Sequence, residues 1–307
     1  GWNYRQTGYI NQAAALWIGR HLNLSFYQLF LLGKAINLLT YLVLIIVALS
    51  VLLPLYIVLI TSLKGKSEAM DSSFSWWPSE IDLHGYKEVF TYTSGREDSV
   101  PTVIRGFINT LIVSVPTSVI GVLVAALAAF AFAKLEYKSK NVLFAILLGT
   151  MMIPGTITLI PSYVIFDKIG WVDTFLPLMI PAMLGGASCV FFLRQFYFSI
   201  PNDLMDAAKI DGLGNFGIFF SIMLPLSMPA LIAQLVLAFV SSYNAYLGPL
   251  LYLQSPEKYT LQIALQFFKG TYTTDWAVVM AGATVSLIPT LALYLFGQKY
   301  FIEGIAT

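Results

Sequence analysis

The chain has 307 residues, of which 58% are hydrophobic, 15% aromatic and only 11% charged, with a formal net charge of +1. A water-solvated domain carries about 25% charged residues, so this composition excludes an ordinary soluble protein and points to one solvated largely by lipid. The balanced charge excludes the basic face that nucleic-acid binding requires, and a single cysteine, Cys189, excludes an intrachain disulfide and argues against a cysteine metal cluster.

Residues 1–35 come first. The opening stretch holds no acidic residue and is rich in aromatics and leucine, but Arg20, His21, Asn23 and Ser25 interrupt any full membrane span. It reads either as a helix lying in the inner headgroup layer or as a weakly ordered tail. It carries no apolar run with a small-residue cleavage site.

Six later stretches are long and apolar enough to cross about 30 Å of hydrocarbon. They run over about 36–60, 107–133, 142–166, 175–196, 229–253 and 277–296. Each is expected to be a helix, because a helix satisfies its own backbone groups in lipid. An even number puts both termini on one side. With the termini inside, inner segments hold Arg5, Arg20, Lys34, Lys134, Lys138, Lys140, Arg194, Lys209 and Lys299. The short outer loops hold only Lys168, Lys258 and Lys269, while Lys64, Lys66, Lys87, Arg96 and Arg105 fall in one long outer loop. Cations on short flanks favour the inside, so termini-in is expected, with Trp76 and Trp77 as outer interfacial anchors.

Gly121, Ala125, Ala129 and Ala133 recur every four residues in the second span and form a smooth stripe for close helix approach. Pro154 and Pro161 in the third span, Pro177 and Pro181 in the fourth and Pro289 in the sixth are expected to kink or loosen their helices. The span interiors hold no Asp, Glu, Lys or His, and their one Arg, Arg194, sits at the inner end of the fourth. Mid-bilayer charge is usually kept for ion relays, so a proton-coupled pump is disfavoured. Sodium coupling through carbonyls and hydroxyls stays open.

No catalytic constellation stands out, and neither His21 nor His84 has a metal-ligand neighbour at helical spacing. Gly65-Lys66-Ser67 imitates the end of a phosphate-binding loop, but Ile60 stands where that loop needs its first glycine.

Residues 201–220 break the greasy pattern with a short polar element between the fourth and fifth spans. Pro201 and Asn202 suit a helix start, Asp203 and Asp206 the first turn, and Gly212 and Gly214 its end. The expectation is a two-turn helix across the inner end of the bundle. Leu204, Ala207, Ala208 and Ile210 would form a small face for docking a partner.

"DAAKIDG" followed by "FFSIMLPLSMP" resembles the signature loop of permease subunits of ATP-binding-cassette importers, with Asp206 in place of the usual Glu and Leu213 in place of a common Ala. "MMIPGTITLIPSYVIF", "FFLRQFYFSIPNDLMDAA", "YTLQIAL", "TDWAVVMAG" and "QKYFIEGI" extend the resemblance from about residue 38 onward, towards the carbohydrate branch and its smaller, maltose-system G-type permease. The resemblance implies an all-α, type I permease fold of six transmembrane helices over 36–307 with a cytoplasmic coupling helix, in the bacterial cytoplasmic membrane. It implies ATPase coupling through Asp206, Ala207, Ala208, Asp211 and Gly212. It implies a second, different permease, two ATPase subunits that hold the ATP and magnesium, an extracytoplasmic solute-binding protein and a sugar substrate. No cofactor or metal is expected on this chain. Tyr243, Asn244 and Tyr246, expected mid-span in the fifth helix, suit the CH faces and hydroxyls of a sugar, although this stretch lacks the Trp and acid usual in the branch. The outer loop 254–276, with Gly270, Thr271, Tyr272, Thr273 and Thr274, would reach the binding protein and compete for the sugar. A permease of the same class for a non-sugar solute and an ion-coupled secondary transporter are the alternatives.

Overall fold

A computed structural model describes residues 26–93, 100–269 and 274–305. Every regular element among them is helical: α1 (Phe26–Thr61), α2 (Lys66–Met70), α3 (His84–Thr91), α4 (Thr102–Lys134), α5 (Lys140–Met151), α6 (Gly155–Lys168), α7 (Leu176–Met183), α8 (Ala187–Ser199), α9 (Asp203–Ile210), α10 (Asn215–Ile218), α11 (Leu224–Leu226), α12 (Met228–Tyr243), α13 (Leu247–Tyr252), α14 (Leu261–Ala264) and α15 (Trp276–Ile305). A π-helical turn, Phe219–Met223, joins α10 to α11, and short 3₁₀ turns flank α14. Four helical stretches, in α1, α4, α7 together with α8, and α15, are long and apolar enough to cross a membrane, or six if each of two sharply bent pairs is one span. The chain divides into two compact units.

The first unit runs to Ile60 and includes Ser75–Trp77. Its helix α1 starts ten residues before the expected span, and its apolar side chains, Leu38, Ile46 and Val51 among them, are exposed on all sides. That pattern suits lipid. The Tyr56 hydroxyl donates to the Trp76 carbonyl at 2.6 Å.

The second unit is organised around α4. Its buried face repeats with helical period, from Gly106 through Thr110, Val113, Thr117, Gly121, Ala125 and Ala129 to Ala133. Helices α7, α8, α12 and α14 pack on this face, while α15 packs on α12 and α3. The small-residue stripe meets the α7–α8 junction. A Cβ at Gly121 would lie 2.6 Å from the Ala182 carbonyl oxygen, and one at Gly185 would lie 3.0 Å from the Ala125 nitrogen. Gly185 also takes φ +87°, where only glycine is at ease. Two cores result. One gathers Ala126, Phe130, Leu193, Tyr197, Met205, Phe219 and Met223. The other gathers Val89, Val103, Tyr243, Leu261, Phe268 and Ala281. Arg194 ties α8 to its neighbours: its Nε donates to the Phe132 carbonyl at 3.2 Å, and its guanidinium lies 3.8 Å from the Phe144 ring centre.

Three expected spans differ in form. The stretch 142–166 is two helices bent by 97° at Met152–Pro154. Proline lacks an N–H and disfavours helical geometry in the residue before it, which accounts for the break. The fifth span is not continuous over 229–253. It ends at Tyr243, resumes at Leu247, and is preceded by the 215–226 segment at an 80° bend. There Leu224 N bonds Phe219 O, a wide turn just before Pro225. The fourth span is broken at Leu184–Gly186 rather than at Pro181, and α6 and α15 continue unbroken through Pro161 and Pro289.

Candidate functional site

The polar element between the fourth and fifth spans is helix α9. Gly212 takes φ +84°, its N–H bonds the Lys209 carbonyl at 3.0 Å, and Leu213 N–H reaches back to the Ala208 carbonyl at 2.9 Å. This is the paired closure of a glycine-ended helix. Gly214 is extended and precedes α10 instead of ending α9. Asn202 stands at the start but its side chain does not cap. Its Oδ1 accepts from Lys134 Nζ at 2.7 Å, while the same ammonium bonds the Ile200 carbonyl at 2.6 Å.

The expected docking face divides in two. Its Ala208 is buried, together with Met205, in the core shared with α4 and α8, whereas Leu204, Ala207 and Ile210 are exposed. Asp206 and Asp211 are also exposed, and Asp206 accepts from Lys209 at 3.2 Å. Ile210 is 88% exposed and Phe216 is 74% exposed. One side of α9 is therefore rooted in the bundle while the other presents aliphatic groups beside carboxylates, with the exposed Phe216 of α10 following.

A cavity of about 720 Å³ lies between α4, α7, α8 and α12. Thr110, Thr117, Ser118, Gln234, Ser241 and Ser242 supply most of its polar wall, with Ser188 and Thr260. Phe192, Cys189 and aliphatic groups supply the rest, and no lining residue is charged. The Thr110 hydroxyl donates to the Gly106 carbonyl at 2.8 Å and the Thr117 hydroxyl to the Val113 carbonyl at 2.7 Å. Ser118 donates to the Ser114 carbonyl.

The residues expected along the path sit beside this cavity rather than on its wall. Tyr243 is buried in the second core and donates to the Ser286 carbonyl at 3.0 Å. Asn244 is exposed at the end of α12, where its amide donates to the Val240 carbonyl and its Oδ1 accepts from Gln262 at 3.3 Å. Tyr246 is 37% exposed at the start of α13. Ala245, between them, does line the cavity. The hydroxyls of α4 and α12 were the residues that sequence reasoning missed. Their signal was Gln234, Ala238, Ser241 and Ala245 at helical spacing, small or polar inside a greasy run.

Of the loop 254–276, expected to lie outside, the described stretch 254–269 is packed rather than a solvated connector. Leu261, Ile263 and Ala264 are buried. Asn109 donates to the Glu257 and Tyr259 carbonyls at 2.8 and 3.0 Å, and Leu261 N–H donates to Thr110 Oγ1 at 2.9 Å. Asp173 holds the loop's start. Its carboxylate accepts from Gln254 N and Ser255 N, each at 2.9 Å, from the Ser255 hydroxyl, and from Lys258 Nζ at 2.9 Å. Burial alone would raise the Asp173 pKa, but these donors outweigh it and hold the carboxyl well below the usual range. Asp173 is also the one non-glycine residue at positive φ among the described residues. Gly270, Thr271, Tyr272 and Thr273 lie outside the described residues, and Thr274 is half-buried. Among the described residues no cluster of His, Cys, Asp or Glu could hold a metal ion.

The chain matches the family model for the binding-protein-dependent transport system inner membrane component over residues 99–306. It is 32% identical over 254 residues to the arabinooligosaccharides transport system permease protein AraQ of Halalkalibacterium halodurans, covering 82% of this chain and 88% of the relative. It is also 32% identical over 265 residues to the melibiose/raffinose/stachyose import permease protein MelC of Bacillus subtilis, covering 85% and 92%. Among solved structures it resembles a chain of a bacterial ABC transporter involved in import of the acidic polysaccharide alginate. That match has a TM-score of 0.75 over 87% of this chain and 97% of the other, at 22% identity, a likeness of fold.

Proposed function

The chain belongs to the family of inner membrane components of binding-protein-dependent transport systems, and we propose from that premise that it is a permease subunit of an ATP-binding-cassette importer for a sugar or oligosaccharide. The relatives named for arabinooligosaccharides and for melibiose, raffinose and stachyose support the solute class. Its partners are a second, different permease completing the path, two ATPase subunits that hold ATP and magnesium, and an extracytoplasmic solute-binding protein. The chain resides in the cytoplasmic membrane with both termini inside.

The observation that carries the mechanism is the two-sided nature of α9. Its exposed side, with Leu204, Ala207 and Ile210, and the exposed Phe216 of α10 supply the apolar area that a partner groove buries. Its buried side, Met205 and Ala208, sits in the same core as α4 and α8. A push on α9 by the closing ATPase therefore moves the walls of the cavity, because a close-packed core transmits displacement instead of absorbing it. The glycine-ended closure at Gly212 fixes the angle between α9 and the segment that follows. At the other face, Asp173, Asn109 and Thr110 hold the 254–268 segment, which leads to residues 270–274, the part that enters the binding protein.

The test is uptake of a radiolabelled neutral oligosaccharide by proteoliposomes containing the whole transporter. Uptake requires ATP on the ATPase side and binding protein on the other. Uptake by this chain without ATP or partners would establish a secondary transporter instead.

A further inference from the structure

We infer that the wall formed by α4, α12 and Thr260 is a solute-contact site in this subunit, built for an uncharged polyhydroxyl ligand and selective against anionic saccharides. The inference rests on the importer reading above and adds which chemistry this half of the path accepts.

The hydroxyl protons on α4 are committed. Thr110, Thr117 and Ser118 each donate to a carbonyl one turn back. Thr117 Oγ1 lies 3.4 Å from Ser242 Oγ, and with its own proton engaged it is the acceptor of that pair. A hydroxyl whose proton is engaged offers the cavity lone pairs only. The ligand facing α4 must therefore donate. Sugar hydroxyls donate, whereas a carboxylate or phosphate cannot. No lining residue is Arg, Lys or His, so an anion would lose its hydration without a countercharge.

Thr260 adds an independent observation. It borders the cavity, is 4% exposed, and its hydroxyl finds no hydrogen-bond partner. It stands before α14 without using its side chain as a cap. A buried hydroxyl without a partner is a destabilising feature, and a bound polyol would satisfy it. The hydroxyl contributes no hydrogen bond to the fold, so Thr260→Val keeps the shape and removes only the polar atom.

Cys189 is the chain's one cysteine and lines the same cavity, so its alkylation reports occupancy of this site. The experiment measures N-ethylmaleimide labelling of Cys189, read on its peptide by mass spectrometry, in the purified intact transporter. Probes are maltotriose, raffinose and arabinotriose, with trigalacturonate as the anionic probe and spermidine as a cationic one. Ser241→Cys on α12 repeats the readout from the facing wall. The expected result is protection by at least one neutral trisaccharide and none by trigalacturonate or spermidine. In Thr260→Val the half-protecting concentration rises about tenfold, the size of one lost hydrogen bond, while Thr260→Ser restores it. Equal protection by trigalacturonate overturns the inference, as does protection unaffected by Thr260→Val. Absence of protection at both thiols while ATP-driven uptake continues overturns it and leaves the importer reading intact. Failure of ATP-driven uptake itself would overturn the importer reading instead.

Discussion

At the scale of single residues, Gly212 and Asp173 do opposite things at similar backbone angles. Gly212 sits at φ +84°, and nothing lies within 4 Å of a Cβ built there. A side chain would meet no neighbour, so the cost of substitution is backbone strain, about 1–2 kcal/mol for an L-residue in this region. Gly212→Val is therefore expected to leave membrane insertion intact and to impair transport by misdirecting α9. Uptake and membrane yield measured together check this, and normal uptake would remove Gly212 from the coupling path. Asp173 tolerates φ +59° because its carboxylate is held by several donors. Asn also tolerates this region, so Asp173→Asn tests the charge and not the turn. It is expected to cost on the order of 1.5–3 kcal/mol, the range for hydrogen bonds to a charged group. The native carboxyl titrates below its unfolded value. Its stabilisation is thus complete above about pH 4–5 and fades only as pH falls through the lower folded pKa. Melting of native and variant protein in detergent from pH 8 to pH 3 should show a constant gap that begins to narrow below about pH 4. A gap that already closes between pH 7 and pH 5 would contradict this.

At the scale of elements, α9 and the 254–268 segment are where the proposed function puts the contacts with partners. Ala207 is exposed while Ala208, its neighbour, is 3% exposed. Ala207→Arg should spare the fold and block docking, abolishing solute-stimulated ATPase activity in the assembled transporter. Ala208→Arg should instead reduce folded protein, since it drives a charge into the core. Comparable yields of the two variants would contradict the division of the helix into a rooted and a docking side. Deletion of Lys269–Thr273 removes the chain after the packed segment ends at Phe268. It is expected to leave insertion and ATP binding intact and to leave solute on the docked binding protein. Release at the native rate in the ATP-trapped complex would show that the loop does not displace solute.

At the scale of the whole molecule, sequence and tertiary structure decided different things. Hydropathy and length were enough to mark the greasy stretches, since about 20 apolar residues must cross lipid as helix whatever their neighbours. The spacing of Gly121, Ala125, Ala129 and Ala133 already announced a close approach, and the polar stretch with Asp206 and Gly212 announced a short glycine-ended helix. These signals are local, because backbone geometry and capping act within a few residues. Where a long helix breaks is a contest between proline strain and packing. Pro154 ends a helix, while Pro161 and Pro289 remain inside continuous ones, a choice that lies outside any window of sequence. The same holds for the side chains. Tyr243 looked suited to a sugar, but the α12–α15 contact buries it and its hydroxyl goes to Ser286. Thr117, Ser118, Ser242 and Thr260, unremarkable in sequence, meet around one cavity from distant parts of the chain. The fate of the 254–268 segment likewise depended on Asn109 and Asp173, whose partners lie 148 and 81 residues away. Sequence by itself determined how the chain meets lipid and where one short helix must stop. Only the tertiary structure decided which polar groups face a common space, because that depends on which helices meet and which side chains their packing buries.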